Sequence, residues 1–76
     1  MDLSWEAYIN YYSAQRKFSI EKTIENEIDA TIKRIEFYKK YQIKYHPIHE
    51  INKMVLSATI KLIKLIYTKI KNKHCI

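Results

Sequence analysis

The chain has 76 residues, with 14 basic against 8 acidic side chains, one proline, one cysteine and no glycine. That length holds one domain, near the lower limit for a single core without disulfide or metal staples. The missing glycine excludes phosphate-cradling loops, dinucleotide fingerprints and nucleophile elbows, which need positive φ angles or close backbone approach.

A first helix is expected over residues 3–17. Asp2 or Ser4 can cap it, and Glu6 falls in the first turn, where the helix dipole favours a carboxylate. Trp5, Tyr8, Ile9 and Tyr12 recur at i, i+3, i+4 and i+7 and so share an apolar face, from which Tyr11 points away. Arg16 and Lys17 suit the C-terminal end, Phe18 opens a short turn, and Ser19 is a candidate N-cap for the next helix.

The second helix is expected over 20–41. Ile20, Ile24, Ile28, Thr31, Ile35 and Tyr38 make its apolar stripe, widened by Ile32. Glu21, Glu25, Glu27 and Asp29 crowd its first half, and Lys33, Arg34, Lys39 and Lys40 its second. That order complements the macrodipole at both ends. The segment from Gln42 to Pro47 is the one evident break. Proline pushes His46 out of the α region and is itself at home in a first helical turn.

The third helix is expected over 47–71, with 72–76 as a frayed tail. Lys53, Ser57, Lys61, Lys64, Thr68 and Lys71 line up as one narrow polar stripe. The rest is apolar on two adjoining faces: Ile51, Val55, Ala58, Leu62 and Ile66 on one, Leu56, Ile60, Ile63, Tyr67 and Ile70 on the other. A helix this apolar needs neighbours on two sides. The short connection makes helices two and three an antiparallel pair. The fold class is therefore all-α, a single helical domain over 1–76. It reads as a three-helix bundle, or a helical hairpin plus a short N-terminal helix. Helix three is expected to be central and the fold completed by self-association, with a dimer as the natural homo-oligomer.

Charge is uneven along the chain. Residues 1–38 carry five basic and seven acidic groups; residues 39–76 carry nine basic groups against Glu50 alone. Antiparallel packing brings Lys69, Lys71 and Lys73 beside Glu21 and Glu25. It leaves the positive charge of Lys39, Lys40, Lys44, His46, His49 and Lys53 at the other tip, among Tyr38, Tyr41 and Tyr45.

These features support two binding readings. Surplus apolar surface marks a protein interface, with Trp5, Tyr8, Tyr12, Leu56, Ile60, Ile63 and Tyr67 as the residues that would meet a partner. The basic tip offers Lys39, Lys40, Lys44, Lys53, Tyr41 and Tyr45 to an anion or nucleic acid, lysines to phosphate and rings to unpaired bases. The plainer account of that tip is that its lysines end and solubilise helices while its tyrosines pack with wet hydroxyls. It has no arginine for bidentate recognition, and no helix-turn-helix pattern is visible.

Catalytic and metal chemistry find no constellation. His46, His49 and Glu50 straddle the proline without a dependable common face and lack a fourth ligand. Cys75 beside His74 lies in the expected fraying tail, and Cys75-Ile76 is too short for a prenylation box. No cofactor, metal or enzymatic activity is expected. Leu3, Ser4, Glu6 and Ile9, followed by the run from Ile24 to Ile28, resemble in kind the short helical-hairpin inhibitors of sporulation histidine kinases. The spacing between the two pieces differs and helix three has no counterpart, so the chain is not assigned to that family.

The longest uncharged run of helix three, Met54 to Ile60, is far short of the roughly 20 apolar residues that span a bilayer. The N-terminus shows no secretory pattern, and a lone cysteine suits a reducing compartment. The expectation is therefore a cytoplasmic protein, a host cell's cytoplasm included, since a lysine- and isoleucine-rich chain suits a virus or mobile element of an AT-rich genome. Its expected job is a non-enzymatic regulator or inhibitor that docks on a larger protein, with nucleic-acid binding as the alternative.

Overall fold

The computed structural model describes residues 3–74, and side chains over 4–72. The chain is all-α. Helix α1 spans Leu3–Ile20, α2 spans Ile24–Lys40 and α3 spans Ile48–His74, with a 3-10 turn at Gln42–Lys44 before α3. Consecutive helices run antiparallel, as shown by Tyr8 against Tyr41 and Tyr11 against Phe37 in the first pair and by Lys61 against Glu27 and Lys69 against Glu25 in the second.

The first turn falls later than expected. Helix α1 runs on through Phe18 to Ile20, and Ser19 caps nothing. The N-cap of α2 is Thr23, whose backbone is extended and whose Oγ1 accepts the Asn26 backbone N–H at 3.2 Å. Asn26 reinforces the corner by donating its Nδ2 to the Glu21 carbonyl at 2.8 Å. Ile20, expected in the stripe of α2, closes α1 instead and is exposed. At the second corner the Pro47 carbonyl accepts the N–H groups of Glu50 and Ile51, as a first helical turn requires. Residues 72–74 continue α3; Cys75 and Ile76 lie outside the described residues.

The principal correction concerns which helix is in the middle. Helix α2 packs against both α1 and α3, and among the described residues no Cα of α1 comes within 8 Å of one in α3. The centre therefore belongs to helix two, not helix three. The physical cause is a second inward face on α2. Ala30 and Phe37, seven residues apart, are both buried and turn toward α1, while Thr31 and the half-buried Ile35 and Tyr38 turn toward α3. Thr31, fully enclosed, satisfies its hydroxyl by donating to the Glu27 carbonyl at 2.8 Å.

Helix α1 likewise turns a different face inward. Ser4, Ala7 and Ala14 are buried and Tyr11 and Phe18 half-buried, at spacings of three, four, three and four. The large face of Trp5, Ile9 and Tyr12 stays exposed, with Tyr8 half-buried at its edge. Small residues let two helix backbones approach closely, and the buried alanines of α1 leave room for the Phe37 ring, only 4 % exposed. Burying that ring contributes about 1.5–3 kcal/mol.

On α3 four residues of the first expected face turn inward, Ile51 and Ala58 buried, Val55 and Leu62 half-buried; the fifth, Ile66, is exposed. The second is uncovered, because α1 sits on α2 and cannot reach it. No helix among the described residues is long and apolar enough to cross a membrane.

Candidate functional site

Three surfaces offer chemistry: the open face of α3, the outer face of α1, and the tip at the second corner.

On α3, Leu56, Ile60, Ile63, Tyr67 and Ile70 recur at spacings of four, three, four and three and are all exposed. Leu56 and Ile63 are each 61 % open to water and Tyr67 67 %. This is the a/d spacing of a coiled-coil seam, on the side of α3 turned away from α2. Ile66 continues it toward α2, where Ile32 is also exposed. One border of the seam is the lysine row Lys53, Lys64 and Lys71; none of these three is in an ion pair among the described residues.

On α1 the outer face is aromatic. Trp5 and Tyr8 stack with ring centroids 5.1 Å apart and planes 5° from parallel. Tyr8 then contacts Tyr12, Phe37 and Tyr41. One continuous set of rings thus runs from exposed Trp5 into the α1–α2 core. The expected partner-binding residues consequently fall on two separate surfaces. Trp5, Tyr8 and Tyr12 belong to α1, while Leu56, Ile60, Ile63 and Tyr67 belong to α3 on the far side of α2.

The tip is less free than its composition suggests. Tyr41 stacks on Phe37 with centroids 5.3 Å apart and also meets Tyr8, so its ring is a core element. Its hydroxyl is held above the usual tyrosine range by desolvation first and a hydrogen bond with Tyr45 second. Lys44 Nζ donates to the Ser4 Oγ at 2.7 Å, tying the corner to the start of α1. Tyr45, 65 % exposed, is the tyrosine of the tip that stands mainly in water, and Lys39, Lys40 and Lys53 are exposed as well. His46 lies 3.9 Å from Glu50 one helical turn on. No group of three or more His, Cys, Asp or Glu residues among those described could hold a metal.

A cleft of about 200 Å³ between α2 and α3 is lined by Arg34, Tyr38, Met54, Ser57, Ala58 and Lys61. Burial is the main cause that raises the Tyr38 hydroxyl above its usual range, partly offset by the Arg34 charge. Of the charge pairing expected across the hairpin, Lys69 meets Glu25 at 3.9 Å, while Lys71 and Glu21 are in no ion pair among the described residues; Lys61 and Glu27 at 3.5 Å are a further pair that the sequence did not suggest. Lys73 lies outside the described side chains.

Comparison with protein-family models, with curated proteins and with solved structures finds no match for this chain. The functional reading therefore rests on its surfaces.

The residues missed by sequence reasoning are Phe37, Ala30 and Tyr11. The signal available was the alanine spacing: Ala7 to Ala14 on one helix and Ala30 to Phe37 on the next, each seven residues apart. Such a repeat marks a close helix–helix contact as clearly as a stripe of large residues does.

Proposed function

We propose that the protein is a non-enzymatic interaction protein, a small helical regulator or inhibitor that works by docking on another protein in the cytoplasm. The observation that carries this reading is that both outer helices of the three leave an apolar face in water: Trp5, Ile9 and Tyr12 on α1, and the Leu56–Ile60–Ile63–Tyr67–Ile70 seam on α3. Contiguous apolar surface of this kind is what an interface buries. Exposed Trp and Tyr are also the side chains that most often dominate binding energy.

The test uses a photo-reactive amino acid at Ile9, Tyr12 or Ile63, with Lys22 as a control position, in cells making the full chain. Adducts at the first three positions and not at the control support the reading when the trapped protein also binds the purified chain and Trp5→Asp or Ile63→Asp weakens that binding at least tenfold. Equal labelling at all positions overturns it.

Nucleic acid at the tip is the second reading, favoured by the exposure of the Tyr45 ring and of Lys39, Lys40 and Lys53. Binding of a single-stranded oligonucleotide should then fall steeply with added salt and weaken on Lys40→Glu with Lys44→Glu. Binding indifferent to both would remove the tip from consideration.

A further inference from the structure

The cleft between α2 and α3 is lined by hydrogen-bond donors and by no acidic side chain. On α2, Arg34 and Tyr38 stand one helical turn apart. On α3, Met54, Ser57, Ala58 and Lys61 follow at spacings of three, one and three. Arg34 and Lys61 bring positive charge, the Ser57 and Tyr38 hydroxyls can each donate a hydrogen bond, and Met54 and Ala58 add apolar lining. The cleft stands apart from the proposed docking surfaces: at about 100° per residue, Ser57 and Lys61 lie about 120° and 160° round α3 from Ile63.

The unusual member is Arg34. Its side chain is half-buried, and its Nε is shut off from water with no hydrogen-bond partner among the described residues. Nor is Arg34 in an ion pair there, whereas Lys61 meets Glu27 at 3.5 Å. Folded proteins leave few buried polar groups unsatisfied, and a buried charge is ordinarily paired. An unpartnered guanidinium beside an open cleft therefore calls for an acceptor that the chain itself does not supply.

We propose that this cleft binds a small oxyanion, specifically a phosphoryl group, with Arg34 as the anchoring residue. A guanidinium presents its N–H groups in a planar fork that two oxygens of one phosphoryl group can accept together. One such ligand answers both the unpaired charge and the orphaned donor. Water does not reach Nε, so engaging it takes a turn of the guanidinium about its own stem. Ser57 and Tyr38 can donate to the remaining oxygens, and Lys61 adds charge that Glu27 partly offsets. Burial raises the Tyr38 hydroxyl above its usual range, so it stays protonated, and a donor, at neutral pH. Four donor side chains ask for more oxygens than the two of a carboxylate, which favours phosphoryl. The cleft's volume of about 200 Å³ equals several waters at about 30 Å³ each. That is room for a phosphoryl group, and less than the roughly 300 Å³ at which pockets for drug-sized ligands begin. The group can come as free phosphate or at the end of a small monoester, whose carbon end Met54 and Ala58 suit.

NMR titration of the isotope-labelled full chain tests this, at fixed ionic strength, with inorganic phosphate, methyl phosphate, acetate and chloride. Phosphate should shift the Arg34 Nε–H and the Ser57 and Ala58 amides saturably. Acetate should bind at least fivefold more weakly, and chloride should give no saturable shift. Methyl phosphate binding more tightly than phosphate assigns the monoester as the source, and equal or weaker binding assigns free phosphate; either result supports the site. Arg34→Lys keeps the charge but loses the fork, and should raise Kd at least tenfold. Ser57→Ala, at an exposed position, should raise it at least twofold. Glu27→Gln should tighten binding, because it releases Lys61, and Lys64→Gln on the open face of α3 should leave Kd unchanged. Helical signal and a cooperative melt are checked for each variant; Ser57→Ala and Glu27→Gln carry the test should Arg34→Lys fail to fold. Absence of saturable phosphate shifts overturns the proposal. So do shifts centred on Lys39, Lys40 and Lys53 at the tip, acetate binding as tightly as phosphate, or a Kd indifferent to changes at Arg34 and Ser57.

Discussion

Tyr11 and Phe37 stack with ring centroids 4.8 Å apart and planes 19° from parallel, and this pair fixes which side of α2 the first helix occupies. Tyr11 also holds its own helix, its hydroxyl accepting Gln15 Nε2 at 3.2 Å. Phe37 further contacts Tyr8, Tyr12, Tyr38 and Tyr41, so it is the hub of the aromatic set.

Phe37→Ala should cost about 3–5 kcal/mol, the usual penalty for emptying a buried aromatic site. In a domain this small that loss is comparable with the entire stability of about 5 kcal/mol expected at the low end. Urea denaturation monitored by helical signal should therefore find the variant largely unfolded without denaturant. Trp5→Ala, at an exposed position, should leave the midpoint nearly in place. Equal losses at the two sites would contradict the placement of α1.

Overfilling the α1–α2 contact is the converse. Ala7→Leu or Ala30→Leu should destabilise by about 1–3 kcal/mol, because an enlarged side chain forces the closely packed backbones apart. Ser13→Leu, on the exposed side of α1, should change stability by less than about 0.5 kcal/mol. Thermal melts of the three variants measure the difference.

The first corner has its own test. Thr23→Ala removes the oxygen that accepts the Asn26 N–H and should cost about 1 kcal/mol. Ser19→Ala should cost almost nothing, since Ser19 lies inside the last turn of α1, exposed. A larger effect at Ser19 than at Thr23 would move the corner back to the position the sequence suggested.

Alkaline pH should loosen the α2–α3 contact. Burial raises the Tyr38 hydroxyl above the ordinary tyrosine value of 10.0. A group with a raised folded-state value contributes stability that is intact below its unfolded value and lost as pH climbs through the folded one. Stability should thus be flat with pH below about 10 on this account and fall above it. Tyr38→Phe should remove part of that fall, as read by denaturation at pH 9 and 11. An unchanged fall in the variant would assign it to other tyrosines.

The number and kind of elements followed from local patterning. Absent glycine and a single proline leave few places for a chain to turn, so helices at both sides of Pro47 were legible from composition alone. The two apolar faces of α3 were equally plain, since a 3.6-residue period sorts Ile51, Ala58 and Leu62 from Leu56, Ile63 and Tyr67 without any knowledge of neighbours. Which helix took the middle was a matter of packing between helices. Large apolar residues announce that they want burial, and they pointed to α3; a central helix must also let two neighbours come close, and that capacity belongs to small side chains. Ala30 and Phe37 on α2, with Ala7 and Ala14 buried on α1, give α2 a second contact surface that a tally of hydrophobicity undervalues. With α1 drawn to that surface, the seam of α3 is left in water, and the Trp5 face with it. The candidate interface is thus a consequence of packing order: its residues could be named from the chain, but their exposure followed from where three alanines and a phenylalanine allowed the helices to meet.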